Sequence, residues 1–308
     1  MKSPKEIRFM RVDPLYINNT VAALDAATAT EQNLTNELST GVKVNSISDD
    51  PVAFAQNVLL SSQLSADDTF AQTASSTQSL LQVSDTALGS VVSQLTQAIS
   101  LATEGNNGTL NAANLQTIST QLVGIRDEVL SLANSSYLGS YIFSGSQGAT
   151  SPFTLDTSTT PATVTYQGDE DISYVQTPNG HTIQTNLPGD QIFNAPGASV
   201  LGSLNALIAD FSSGTAAPTS VADLGQLNQA LNYVDQQRTV LDASITQMTA
   251  ASNYSASESV QLQSAQDLLL QTNTAQVASQ LSSAETQQAA LTQVIAAIEK
   301  QGTLFDSI

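Results

Sequence analysis

Leu38–Gln56, LSTGVKVNSISDDPVAFAQ, is the stretch on which the reading of the whole chain turns. Gly41 lacks a Cβ, so it takes the left-handed conformation that closes a helix without a clash. Asp50 can accept the free N–H groups of a new helix. Pro51 suits that helix's first turn, where no backbone N–H is needed. The stretch therefore predicts a helix end, a short loop and a helix start.

Helical periodicity extends on both sides of this loop, from about Pro14 to about Ser136. Leu88, Val91, Leu95, Ala98 and Ala102 keep a 3–4 spacing that lays one apolar stripe along a helix. Asn106-Asn107-Gly108 breaks the stripe. It resumes with Leu115, Ile118, Leu122, Ile125, Val129 and Leu132, which predicts two antiparallel helices joined by a short turn. From Val221 the periodicity returns, with Leu227, Leu231, Val234, Leu241, Ile245 and Met248 on one heptad register and Arg238 interrupting it. Val277, Leu281, Ala284, Leu291, Ile295 and Ile298 continue a 3–4 pattern interrupted by Gln288. That is about three heptads, near the threshold for a coiled coil.

Between these parts the texture changes. Residues 137–211 hold most of the Tyr and Phe residues and five of the nine prolines. Thr163–Tyr166 and Ile172–Gln176 read as strands, Pro178-Asn179-Gly180 as a turn, and His181–Leu187 as the returning strand. An insert that splits a helical body requires both chain ends to return to one place. The expected fold class is mainly α with an inserted β domain: a long antiparallel helical bundle or coiled coil formed by both ends, plus a small antiparallel β domain. The expected division is 10–45 with 265–308 as terminal helices, 46–136 with 212–264 as a helical bundle, and 137–211 as a β-rich outer domain. The terminal stripes are often Ala or Thr, and a buried methylene contributes only about 0.8 kcal/mol. Ordering each residue costs about 1–2 kcal/mol. The terminal helices are therefore expected to be poorly ordered in the monomer and to fold when neighbours supply surface.

Charge narrows the function classes. Eight Lys and Arg stand against 27 Asp and Glu, a net charge of −19. Phosphate backbones demand clustered basic residues, so nucleic acid is disfavoured, as is anionic lipid. Lys2, Lys5, Arg8 and Arg11 make a basic start, but no apolar run of signal-peptide length follows. No stretch of about 18 apolar residues offers a membrane span. The chain has no cysteine. That suits the cytoplasm, and equally export as an unfolded chain through a narrow channel.

Candidate chemical sites have simpler readings. Asp49-Asp50-Pro51 reads as a cap and loop, because two adjacent carboxylates do not converge on one point. Asp169-Glu170-Asp171 lacks the spaced oxygen ligands of a calcium loop. His181, the single histidine, sits in a hairpin. One His without Cys excludes HExxH sites and thiol–imidazole pairs. Gly145 and Gly148 are not followed by the Gly-Lys-Ser/Thr of a phosphate loop. No catalytic, cofactor or metal site is expected. Arg238 on an apolar seam either snorkels to the rim or sets register against an acidic partner such as Asp127 or Glu128. Asn-x-Ser/Thr sequons such as Asn134-Ser135-Ser136 are expected by chance in this composition.

As a whole string, Leu38–Gln56 resembles the N-terminal signature of the bacterial flagellin family. There a leucine, small residues, Gly, a basic residue and Asn precede Asp-Asp and a long helix. Tyr137–Phe153, YLGSYIFSGSQGATSPF, and Val164–Phe193 resemble the hook–filament junction branch of that family, hook-associated protein 3. Asn273–Ile308, with its Leu304-Phe305 ending, is similar to that branch's C-terminal helix. Met10-Arg11-Val12 is similar to its usual start, so residues 1–9 read as an N-terminal extension or a misplaced start codon. Two departures are Ser307, where the family commonly has an aromatic, and a last helix poorer in Asn and Asp.

The resemblance implies a structural protein of the flagellum rather than an enzyme. It implies that the terminal helices form the inner layers of a tube and that the β domain faces outward. Implied partners are further copies of the chain, the hook-side hook-associated protein, flagellin, and a cytoplasmic export chaperone. Export through the flagellar type III apparatus to the hook–filament junction follows, which favours the channel reading of the absent cysteines. Leu38, Asp50, Pro51, Leu281, Leu291, Ile295, Ile298, Leu304 and Phe305 are the expected assembly and helix-packing residues. A flagellin of the bulk filament is the nearest alternative. A surface adhesin on a helical stalk is the alternative from another class.

Overall fold

The computed structural model describes residues 14–305. Residues 1–9, Met10-Arg11-Val12 and Ser307 lie outside the described part. Its elements are α1 (Pro14–Thr40), α2 (Pro51–Gly105), α3 (Ala112–Ala133), β1 (Ser136–Tyr137), β2 (Ser140–Tyr141), β3 (Phe153–Asp156), β4 (Thr163–Tyr166), β5 (Tyr174–Gln176), β6 (Thr182–Gln184), α4 (Gly189–Phe193), α5 (Val200–Ser212), α6 (Ser220–Leu270) and α7 (Thr274–Phe305). The described residues form two compact units, one of residues 14–64 with 261–305 and one of residues 65–260. Helices α2 and α6 each contribute residues to both units.

The 65–260 unit carries the hydrophobic interior. The predicted stripe Leu88, Val91, Leu95, Ala98 and Ala102 is fully buried on α2, facing Leu115, Ile118, Leu122 and Val129 of α3 in the same cluster. The break between them is a six-residue connection. Asn111 caps α3, its Oδ1 accepting the Asn114 N–H at 2.9 Å. On α6, Leu227, Val234 and Leu241 enter this cluster, while Met248 joins Phe70, Ala74 and Ile183 in a smaller one.

The insert is made of small antiparallel strand pairs, as expected. Its strands make three two-stranded antiparallel sheets, β1–β2, β3–β4 and β5–β6, that do not join one another. Helix α5, Val200–Ser212, begins within the stretch read as β-rich. Val200, Leu201, Leu204, Leu207 and Phe211 follow a 3–4 spacing there and are fully buried. Phe143, Phe153 and Phe193 pack edge to face at 5.4 and 5.5 Å between ring centres and belong to the same cluster as the α2 and α3 stripes. Strands this short cannot bury a face of their own, and the aromatics of the insert pack into the helical core. The predicted hairpin does form: Gly180, at φ +87°, donates to the Thr177 carbonyl at 2.9 Å between β5 and β6.

Candidate assembly surfaces

In the other unit, Gly41 ends α1 at φ +72°, its N–H donating to the Glu37 carbonyl at 2.8 Å. Asp50 caps α2: its Oδ1 accepts the Val52 and Ala53 N–H groups, each at 3.0 Å. Pro51 is the first residue of that helix. Asp49 turns back instead. Its Oδ2 accepts the N–H groups of Ser46 at 2.8 Å and Asn45 at 2.9 Å, and these bonds hold its carboxyl below the usual carboxylate range. The paired carboxylates therefore work separately, one on the helix and one on the loop.

This loop is laced to the break between α6 and α7. Val42 and Gln271 form an antiparallel bridge. Lys43 N–H donates to the Leu270 carbonyl at 2.8 Å, and Thr272 N–H donates to the Gly41 carbonyl at 2.9 Å. The Thr272 hydroxyl also reaches Glu37 Oε2 at 3.2 Å. Beyond the break, α1 packs along α7. Among the described residues, the positions that are not exposed are Thr20, Leu24, Ala27, Thr28, Glu31, Leu34 and Glu37 on α1, and Val277, Leu281, Ala284, Gln288, Leu291, Ile295 and Ile298 on α7. The α7 set alternates spacings of four and three, the seam of a coiled coil, and Thr20, Leu24, Ala27, Glu31 and Leu34 of α1 follow the same alternation. Gln288, the expected interruption, donates to the Thr28 hydroxyl at 3.2 Å, so the polar residue is satisfied across the pair.

Leu281, Leu291, Ile295 and Ile298 thus lie together on one seam, half-buried. Leu38 is 38% exposed beside the loop. Leu304 and Phe305 close α7, with side chains outside the described part. The α1 half of the seam was not read from the sequence, because its Thr, Ala and Glu members disguise the spacing. The covering of this unit was not legible. Its buried residues are Thr20, Val44, Ala53, Val277 and Ala284, all modest in size, and neither hydrophobic cluster draws on it. Meanwhile Tyr16, Val52, Val58, Leu59 and Leu268 are more than half exposed.

Arg238 takes a different partner from the one expected. Its Nε donates to Asp85 Oδ1 on α2 at 2.9 Å, and that bond raises its already high pKa. Asp127 is engaged by Arg126, whose Nη2 lies 2.7 Å from Asp127 Oδ1. The Arg238 guanidinium lies over Gly89, where an added Cβ would sit at ordinary contact distance, 3.5 Å from Nη2. Sequence periodicity puts Arg238 on a seam but cannot say which helix faces it.

Among the described residues, no group of three or more His, Asp or Glu could hold a metal ion, and no helix is long and apolar enough to cross a membrane.

Comparison with known proteins agrees with this geometry. Residues 15–148 match the bacterial flagellin N-terminal helical region. Flagellar hook-associated protein 3 of Salmonella typhimurium is 34% identical over 167 residues, covering 53% of this chain and 50% of that protein. Over that stretch the chain is similar to flagellar hook-associated protein 3. The protein of that name from Escherichia coli is 32% identical over 166 residues, 52% of this chain and 49% of its own. The alignments span about half the length of these curated relatives. Among solved structures, the flagellar junction protein FlgL of Legionella pneumophila shares the fold, with a TM-score of 0.59 at 15% identity over 70% of this chain and 100% of its own. The hook-associated relatives are structural proteins of the flagellum, and the flagellin-like N-terminal region begins one residue into α1.

Proposed function

We propose that this chain is a structural subunit of the bacterial flagellum that joins the hook to the flagellin filament as an assembled ring or short tube layer. It acts by packing rather than by catalysis. The observation that carries the reading is the imbalance of the α1–α7 unit: a narrow seam of Ala, Thr and single Leu or Ile residues, with Val52, Val58, Leu59 and Leu268 left in water. Apolar surface of this kind is unfavourable in a monomer and becomes favourable when another surface covers it. Neighbouring copies cover it laterally. A hook-side hook-associated protein and flagellin meet its two ends. Residues 10–45 with 265–308 form the inner layer and 137–211 the outer part.

The terminal helices are poorly ordered before assembly and order on contact with neighbours. The unfolded chain passes through the flagellar type III channel, with a cytoplasmic chaperone holding its C-terminal helix. Amide exchange tests the first statement: Leu281–Ile298 should exchange quickly in the monomer and slowly in the assembly, and strong protection in the monomer would sink it.

Immunogold electron microscopy of isolated flagella, with antibody to residues 137–211, tests the location. A single band where hook meets filament is expected. Label along the whole filament would make the chain a flagellin. Label absent from flagella would discard the flagellar reading and return attention to an adhesin on a helical stalk.

A further inference from the structure

Asn-Gly pairs occur twice in the chain, as Asn107-Gly108 between α2 and α3 and as Asn179-Gly180 between β5 and β6. Both pairs are exposed. Both glycines are left-handed, at φ +70° and +87°, and a Cβ on either would meet nothing within 4 Å. Exposure, glycine conformation and free space are therefore alike at the two places. Their hydrogen bonds are not.

In the hairpin every part of the pair is tied. The Gly180 N–H donates to the Thr177 carbonyl at 2.9 Å, and the Thr177 N–H donates to the His181 carbonyl at 2.8 Å. Asn179 Oδ1 accepts the Thr177 hydroxyl, whose oxygen accepts the His181 N–H at 3.0 Å. Between α2 and α3 the bonds stop on either side of the reactive groups. The Asn106 side chain is held by Ser220 at the start of α6, and Asn111 caps α3. The Asn107 N–H donates to the Glu104 carbonyl at 3.1 Å. The Asn107 side-chain amide and the Gly108 N–H have no hydrogen-bond partner among the described residues.

We propose that Asn107 is a site of spontaneous deamidation, with water as the co-reactant, and that the fold protects Asn179 from the same reaction. The Gly108 nitrogen attacks Asn107 Cγ as its proton passes to solvent. The new N–Cγ bond closes a succinimide ring, and the Cγ–Nδ2 bond breaks, with Nδ2 taking up a proton and leaving as ammonia. Water then opens the ring at either carbonyl and leaves aspartate or isoaspartate. No oxidant or reductant takes part. Glycine favours the attack because it puts no side chain beside the nucleophile. Ring closure at Asn179 first requires breaking the bonds to Asn179 Oδ1 and from the Gly180 N–H, a cost that Asn107 does not meet. The product carries a further negative charge just beyond the C-terminal end of α2, where the helix dipole disfavours it. Isoaspartate also lengthens the main chain between the two anchored positions, Asn106 and Asn111. Modification therefore loosens the connection between α2 and α3.

The test keeps the full chain folded in mildly alkaline buffer and follows it by peptide mapping with mass spectrometry, which separates asparagine, aspartate and isoaspartate at each position. Asn107 should convert about tenfold faster than Asn179, or more. Isoaspartate and aspartate should both appear at 107. In concentrated urea the ties on Asn179 are gone, and the two rates should converge. Amide exchange at residues 106–111 should be faster in the converted chain than in the fresh one. Equal rates in the folded chain overturn the proposal. So does a difference that persists undiminished in urea, since local sequence would then set it. Aspartate at 107 without isoaspartate overturns the ring closure, and unchanged exchange at 106–111 overturns the loosening.

Discussion

Asp50 and Asp49 are adjacent carboxylates with separate tasks, and the difference is a matter of which N–H groups each can reach. Asp50 satisfies two orphan donors at the start of α2. Asp50→Ala should therefore lower local stability there by about 1 kcal/mol, read as faster amide exchange at Val52 and Ala53. Asp223, in the first turn of α6, is a different case. Burial raises its pKa, and the neighbouring Asp210 carboxyl raises it further. Asp210 Oδ1 accepts from the Thr219 hydroxyl at 2.8 Å, while Asp210 Oδ2 is buried without a donor, which a proton on Asp223 can supply. A carboxyl with a raised folded pKa stabilises the fold fully below its unfolded value of about 3.9 and loses that contribution as pH rises through the folded value. Asp223→Asn should therefore raise the melting temperature at pH 7 and flatten the decline in stability between acid and neutral pH. A melting temperature that falls at pH 7 would show that the charge helps the helix start more than its burial harms it.

At the scale of elements, the helices of the 65–260 unit were legible because their stripes pack against each other in the register that the 3–4 spacing implies. The two glycines at the groove and the tip of the α2–α3 pair separate propensity from packing. A Cβ on Gly124 of α3 would meet nothing within 4 Å, whereas one on Gly105 would lie 2.7 Å from Phe211 Cζ. Gly124→Ala should stabilise the unit by about 0.5–1 kcal/mol, since alanine loses less backbone freedom on folding. Gly105→Ala should destabilise it, because Phe211 is fully buried and has no room to withdraw. Urea unfolding of both variants reads the two signs. The insert was legible in its short antiparallel strands but not in the helix that follows them. Short strand signals at Thr163–Tyr166 and around Asn179-Gly180 were correct, but α5 was absorbed into the β region because the abundance of Tyr, Phe and Pro around it masked its periodicity. The partner of Arg238 failed for another reason: a seam position names a helix face, and the facing helix is decided by long-range packing.

At the scale of the molecule, the two units differ in how their apolar residues are used. The 65–260 unit buries Phe143, Phe153, Phe193, Phe211 and a run of leucines completely. The α1–α7 unit buries small residues and leaves Leu268 78% exposed and Leu59 66% exposed. Leu268→Ser should therefore change monomer stability by no more than about 0.5 kcal/mol, as an exposed substitution does. In an assembly that covers this surface it should raise the concentration needed to assemble, which sedimentation of a dilution series measures. An unchanged assembly would place Leu268 outside the interface.

The sequence alone determined the punctuation and the periodicity. Gly41, Asp50 and Pro51 act through bonds within a few residues, and the stripes of α2, α3, α6 and α7 follow from helical geometry, so both are written locally. The tertiary structure decided what those faces meet: α1 against α7, residues 41–43 against 270–272, Arg238 against Asp85 rather than Asp127, and the aromatics of the insert within the helical core. It also decided which apolar residues remain uncovered. Burial is a property of pairs of distant segments, and no window of sequence contains both members of such a pair.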